Sequence, residues 1–106
     1  MNMDECLDRE IRLKKQDVIL NTDVESAMME AFTAVQNVFA IGEKKHPDGD
    51  CMNKTWQEHI RHGLGHLEKI YEGEMYDKED GTLHFDNFMA RIVLARRLWM
   101  ESEVLK

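Results

Sequence analysis

The sequence predicts an all-α protein, a small bundle of three main helices. Two capping boxes, Thr22-Asp23-Val24-Glu25 and Thr55-Trp56-Gln57-Glu58, each open a run of apolar residues at the 3, 4, 7 spacing of an amphipathic helix. A third run with this spacing covers about residues 83–104. The chain has a single proline, and the alternation typical of strands is hard to find. These observations together favour helices joined by loops.

The first helix is expected to begin near Thr22 and to end near Gly42, a common C-terminal signal. Its apolar residues recur along one stripe, which is predicted to be buried: Val24, Ala27, Met28, Ala31, Val35, Val38 and Phe39. Residues 1–20 carry Leu7, Ile11 and Val18 at loosely helical spacing among many charges. We interpret them as a short helix or a peripheral arm.

The second helix opens at Thr55, and its predicted core stripe is Trp56, Ile60, Leu64, Leu67 and Tyr71. Gly63 and Gly65 lie inside this helix, where each costs about 1 kcal/mol of helix stability relative to alanine. Two such glycines within three residues indicate tight packing.

The third helix is predicted to bury Phe85, Phe88, Met89, Ile92, Ala95 and Trp99. A three-helix core of this size leaves much apolar surface exposed. We therefore expect residues 1–106 to form one helical domain that associates into a homo-oligomer.

Composition and charge narrow the functional classes. The chain has 106 residues, a formal charge of −7, and no stretch apolar enough to cross a bilayer. An acidic surface argues against binding duplex nucleic acid, which relies on basic side chains. Cys6 and Cys51 are too few for a disulfide scaffold, and the acidic N-terminus does not resemble a secretory signal. A cytoplasmic protein is expected, in the host cytoplasm if a phage encodes it.

Polar side chains with matching spacing follow the second and third helices. His59, His62 and His66 lie at i, i+3 and i+7, and the trio His84, Asn87 and Arg91 repeats that spacing. Each trio occupies one flank of its helix. The connection between the two helices, residues 72–81, is acidic and contains two glycines. If the helices form a hairpin, both flanks and this connection can face one cleft.

Plainer interpretations stand beside a functional one. The histidines could be boundary residues that bond to carbonyl groups or to Glu58 and Glu72, and acidic helix connections are often only solvated. For metal binding, histidines four residues apart can share an ion, as His62 and His66 could. The connection lacks the ligand spacing of an EF-hand, but Mg²⁺ needs only a looser set of carboxylates, here Glu72, Asp77 and Asp80.

Eight short stretches of the chain, in their order and spacing, resemble a phage and bacterial family described as dATP/dGTP diphosphohydrolase, N-terminal domain. They are Lys44-Lys45-His46, Gly49-Asp50, Trp56, His62-Gly63-Leu64-Gly65-His66-Leu67, Glu72-Gly73-Glu74, Asp77, Asp80-Gly81 and Leu83-His84. The resemblance covers about residues 34–98.

The resemblance implies that His66 is the family's helix histidine, Asp77 its loop acid and His84 the first histidine of its last helix. Asn87 stands where the family has a second histidine, and Arg91 where it has an asparagine. These two departures bear on catalysis more than on the fold or the ligand class.

One hypothesis is an enzyme that uses Mg²⁺ (or Mn²⁺) to hydrolyse a purine deoxynucleoside triphosphate to the monophosphate and pyrophosphate. Glu72, Asp77 and Asp80 would hold the metal, which activates a water. His66 or His84 would be the general base. Lys45 and Arg91 would grip the phosphates, and the further substrate-binding residues would be Arg61, His62 and Asn87.

The alternative is a non-catalytic helical module, such as a phage accessory protein that binds a nucleotide or a host protein. Eight methionines suit an adaptable interface, although methionine also fills cores. Nucleotide binding without product release would favour this alternative, and the absence of any binding would favour a protein partner.

Overall fold

The computed structural model describes residues 18–47, 49 and 53–105. These residues form three α-helices, α1 (Val18–Lys45), α2 (Trp56–Tyr71) and α3 (His84–Trp99), and a π-helical turn (Met100–Val104) follows α3. Within this described part there is no strand, only an isolated antiparallel bridge between Tyr76 and Leu83. The predicted all-helical class with three helices is confirmed. None of the described helices has the length and apolar content required to span a bilayer.

Some predictions fall on residues that the structure does not describe. Cys6 and Cys51 both lie outside the described residues. The predicted arm, residues 1–20, also lies outside them, apart from its last three residues, which belong to α1.

The chain divides into two units, Met1–Phe32 and Thr33–Lys106. In the first unit the helix already runs from Val18, so the predicted start at Thr22 is wrong. Thr22 lies inside a continuous helix, where the backbone N–H has a helical partner and needs no cap. The predicted burial is also wrong for Val24 and Met28, which are 54% and 65% exposed. No other described residue of this unit covers them.

In the second unit α1 continues past Gly42, the predicted end, and the His46 N–H still donates to the Gly42 carbonyl at 2.8 Å. The helix ends at Lys45, two residues before Pro47. Proline disfavours helical backbone at the residue before it, which accounts for a boundary here.

The start of α2 is as predicted. The Thr55 hydroxyl accepts a hydrogen bond from the Glu58 N–H at 3.2 Å, which satisfies one of the unpaired donors of the first turn. At the other end Gly73 has φ +94°. Its N–H donates to Ile70, and the Glu74 N–H donates to Lys69. This is a Schellman termination, and it turns the chain back toward α3.

The connection between α2 and α3 is ordered by its own backbone. The Asp77 N–H donates to the Thr82 carbonyl at 2.7 Å, and the His84 N–H donates to the Met75 carbonyl at 2.9 Å. These bonds flank the Tyr76–Leu83 bridge. Because side chains alternate along extended backbone, Asp77 and His84 lie on the face opposite to Tyr76.

Helices α2 and α3 pack against each other at their small residues. Gly63, Ala90 and Ala95 are buried. A Cβ atom at Gly63 would lie 3.4 Å from both the Phe88 ring and the Arg91 Cβ, so tight packing at this glycine is confirmed. At Gly65 the prediction of tight packing is wrong, because no neighbouring atom lies within 4 Å of the position that a Cβ atom would take.

The predicted core faces are only partly correct. Leu64 and Tyr71 of α2 are 56% and 89% exposed, because the helix turns its histidine flank and Gly63 toward α3. On α3 the apolar residues that are buried are the small Ala90 and Ala95. The larger residues predicted as buried on α3 but found exposed are Phe85, Ile92 and Trp99.

Leucine substitutions at the two glycines test this packing. Gly63→Leu is expected to destabilise the fold by roughly 1–3 kcal/mol, because the added side chain must displace Phe88. Gly65→Leu is the matched control and is expected to be neutral or stabilising, since its Cβ points into open space and leucine is the better helix former. Urea unfolding of both variants measures the difference. Equal stabilities would contradict the close approach at Gly63.

Candidate metal centre

Three side chains from three segments meet between α2 and α3. His66 of α2, Asp77 of the connection and His84 of α3 each offer one ligand atom, and these atoms lie within 4.8 Å of one another. The Nδ1 atoms of the two histidines are 2.9 Å apart. The expectation that both helix flanks face one cleft is therefore confirmed for His66 and His84.

Asp77 and His84 are held by further hydrogen bonds. The Asp77 Oδ1 accepts the Glu79 N–H at 2.8 Å, which fixes the carboxylate within its turn. His84, the first residue of α3, is buried, and its Nε2 lies 2.9 Å from the Glu74 Oε2. An ionised carboxylate can only accept, so Nε2 is the donor in this pair, and in a neutral His84 ring Nδ1 would then carry the lone pair that faces His66.

The environment favours neutral imidazole at His66. Burial lowers the pKa of His66, and the neighbouring His84 lowers it further. Partial burial removes hydration that the charged form needs. A neutral imidazole with an available lone pair is the form that binds metal ions.

The group opens into a cleft of about 430 Å³. The cleft is lined by His62, Gly65, His66, Lys69, Glu74, Asp77, Lys78 and His84. Lys69, Lys78 and Glu74 were not predicted as site residues. The helical spacing could have predicted Lys69 as a site residue, because it follows His66 by three residues and so lies on the same face of α2.

Lys45 and Asp80, predicted to bind phosphate and metal, bond to each other. The Lys45 ammonium donates to the Asp80 carboxylate at 2.7 Å and lies 3.4 Å from Glu79. The hydrogen bond between the two side chains raises the pKa of Lys45 and holds the pKa of Asp80 far below its ordinary value. Asp80 also accepts from Thr82. Neither residue lines the cleft, and their pair ties the end of α1 to the connection.

Asn87 and Arg91, predicted to bind substrate, make internal bonds. The Asn87 amide donates to the Thr82 hydroxyl at 2.6 Å and to the Leu83 carbonyl at 3.0 Å. Arg91 donates to Nδ1 of the fully buried His59 at 3.0 Å. These bonds connect α3 to the loop and to α2.

Of the remaining predicted residues, only His62 lines the cleft. Burial and the nearby Arg91 guanidinium lower the pKa of His62. Arg61 and Glu72 are exposed and lie outside the cleft, and the Glu72 carboxylate is 3.7 Å from Lys69.

The Lys45–Asp80 pair makes stability depend on pH. The folded pKa of Asp80 is lowered, so its contribution is present above the ordinary carboxyl pKa and is lost as the pH falls through the folded value. Asp80→Asn is expected to cost about 1–2 kcal/mol at pH 7, and less as the solution is acidified below about pH 4. Glu79→Gln, at the exposed partner, is the control and is expected to cost less than about 0.5 kcal/mol. Urea unfolding at pH 7 and pH 3 compares them; an Asp80→Asn cost independent of pH would contradict the assignment.

Comparison with known proteins supplies the remaining observation. No curated protein and no solved structure matches this chain. Residues 12–104 match the model of one family, described as dATP/dGTP diphosphohydrolase, N-terminal. The match includes every residue that lines the cleft. Because it covers most of the sequence, the chain belongs to the dATP/dGTP diphosphohydrolase N-terminal family, as its resemblance indicated.

Proposed function

We propose that this domain hydrolyses purine deoxynucleoside triphosphates to the monophosphate and pyrophosphate with a divalent metal ion. The observation that carries the proposal is the His66, Asp77 and His84 group, which lines a cleft that is also lined by two lysines. The family description names dATP and dGTP, which supports the nucleotide class.

The donor atoms suit a transition-metal ion. Two imidazole nitrogens and one carboxylate oxygen are available, within 4.8 Å of one another. Mg²⁺ prefers oxygen ligands in octahedral geometry, whereas imidazole nitrogens are better suited to first-row transition-metal ions such as Fe²⁺ or Zn²⁺. Of the expected Mg²⁺ or Mn²⁺, this set favours Mn²⁺. In this proposal His66 and His84 are ligands rather than general bases.

The cleft can bind the phosphate chain. Its volume of about 430 Å³ lies within the range of roughly 300–1,000 Å³ typical of small-molecule sites. The Lys69 ammonium lies 3.7 Å from the Glu72 carboxylate, and the Lys78 ammonium lies 3.4 Å from the Glu74 carboxylate. Both lysine side chains are exposed. Such solvent-exposed pairs contribute little to stability, so phosphate oxygens can replace the glutamates as partners of the ammonium groups.

His62 is the proposed proton acceptor. His66, Asp77 and His84 would hold a divalent ion, which would supply charge neutralisation for the phosphates and increase the acidity of the attacking water. His62 lines the same cleft, and its lowered pKa leaves the imidazole unprotonated at pH 7. The water oxygen bonds to the α-phosphorus, the bond from that phosphorus to the bridging oxygen breaks, and pyrophosphate leaves with the electron pair. The proton of the water passes to His62.

Asp77→Asn tests the metal-binding group. The amide keeps the size of the side chain and can still accept the Glu79 N–H, but it removes the anionic ligand. Turnover of dGTP and dATP, measured as pyrophosphate release with Mn²⁺ or Mg²⁺, is expected to fall by at least about 100-fold. Glu68→Gln is the control, because it removes the same charge from an exposed position outside the cleft.

The assignment of Asp77 does not survive if Asp77→Asn turns over nucleotides at the wild-type rate. If the wild type binds nucleotides but releases no pyrophosphate from any of them, the non-catalytic alternative is favoured.

His62→Gln tests the proton acceptor. With metal and substrate saturating, kcat is expected to fall by roughly 100-fold or more, while metal affinity stays unchanged. Wild-type kcat/KM should rise with pH through the His62 pKa of the substrate-free protein, which lies below its ordinary value of 6.5. This acid limb should disappear in the variant. An unchanged pH profile with an unchanged kcat would exclude His62 from proton transfer.

A further inference from the structure

Glu74 makes contacts with both of its carboxylate oxygens. Oε2 lies 2.9 Å from Nε2 of His84, and Oε1 lies 3.4 Å from the Lys78 ammonium. The His84 ring is almost fully buried, and its second nitrogen, Nδ1, lies 2.9 Å from His66. The ring therefore has a carboxylate at one edge and the candidate metal ligands at the other.

This arrangement selects one tautomer of His84. A neutral imidazole carries one N–H, and an ionised carboxylate can only accept. Nε2 of His84 then holds the hydrogen, and Nδ1 presents its lone pair. In the metal-free protein His66 donates from its own Nδ1 to that lone pair.

The backbone fixes Glu74 in this place. Its N–H closes the last turn of α2 by donating to the Lys69 carbonyl at 2.9 Å. The next residue, Met75, accepts the backbone N–H of His84 at 2.9 Å. The chain on both sides of Glu74 is thus bonded to the end of one helix and to the start of the next. The carboxylate meets His84 because the backbone brings it there.

We propose that Glu74 is a positioning residue that fixes the tautomer and ring orientation of His84 and thereby sets the affinity of the His66, Asp77 and His84 group for a divalent transition-metal ion. The proposal rests on the proposed function, since it requires that this group bind metal. Carboxylates that bond to the outer nitrogen of a ligating histidine typically contribute about 10–100-fold to metal affinity. Glu74 itself supplies no ligand atom.

Metal titration of Glu74→Gln is the first test. Co²⁺ and Zn²⁺ affinities are measured by competition with a coloured chelator, and the visible Co²⁺ spectrum reports the geometry of the ligands. The variant is expected to bind about 10–100-fold more weakly, with an altered Co²⁺ spectrum. Glu68→Gln, which removes the same charge from an exposed position outside the cleft, should change affinity by less than about threefold. Glu74→Asp keeps a carboxylate and should recover part of the loss.

The tautomer can be read without metal. Long-range proton–nitrogen NMR correlations of the His84 ring are expected to show hydrogen on Nε2 in the wild type and in Glu74→Asp. In Glu74→Gln the amide can donate or accept, so both tautomers should be populated. If Glu74→Gln does not fold, Glu74→Asp and Lys78→Gln still test the carboxylate. The aspartate should lower Co²⁺ affinity less than tenfold and keep the Nε2 tautomer, and Lys78→Gln should leave the tautomer unchanged.

The outcomes separate the two proposals. Wild-type affinity in Glu74→Gln, or a wild-type tautomer that places hydrogen on Nδ1, overturns the role of Glu74 while the metal site stands. If the wild-type protein binds neither Co²⁺ nor Zn²⁺, the metal-dependent function fails and the proposal falls with it, whatever the tautomer.

Discussion

The close approach of α2 and α3 at Gly63 is the constraint on which the site depends. With no side chain there, the Phe88 ring and the Arg91 Cβ lie against the α2 backbone. His66 follows Gly63 by three residues and so emerges on the same face. The hydrogen-bonded connection returns the chain so that His84 begins α3 beside it, with the two Nδ1 atoms 2.9 Å apart. A wider spacing of the helices would separate the donor atoms.

Features that depend on near neighbours in sequence could be predicted. The cap at Thr55 is a local hydrogen bond, and the helical period placed His62 and His66 on one flank before any packing was known. On the condition that the two helices form a hairpin, His66 and His84 could be expected to face a common cleft. The family was identifiable from motif order alone.

Features that depend on contacts between residues distant in sequence could not be predicted. Lys45 and Asp80 are 35 residues apart and His59 and Arg91 are 32 apart, so nothing local reveals that each has a partner. Each therefore looked available for a ligand. The orientation of α2 about its own axis was unpredictable for the same reason. The His59–Arg91 bond makes a polar flank suitable for burial, and Leu64 and Tyr71 turn outward instead. Homo-oligomer formation stays a prediction.

The bonded connection between α2 and α3 has a thermodynamic consequence for ligand capture. Two donors belong to helices, and the third follows a Schellman turn and lies within a backbone-bonded loop. Because these residues are already ordered, capturing an ion costs little conformational entropy, of which about 1–2 kcal/mol per residue would otherwise be lost on ordering a flexible loop. The remaining opposition comes from the hydrogen bond between His66 and His84, because the hydrogen on the His66 Nδ1 must move to Nε2 of the same ring before both Nδ1 atoms can bind an ion.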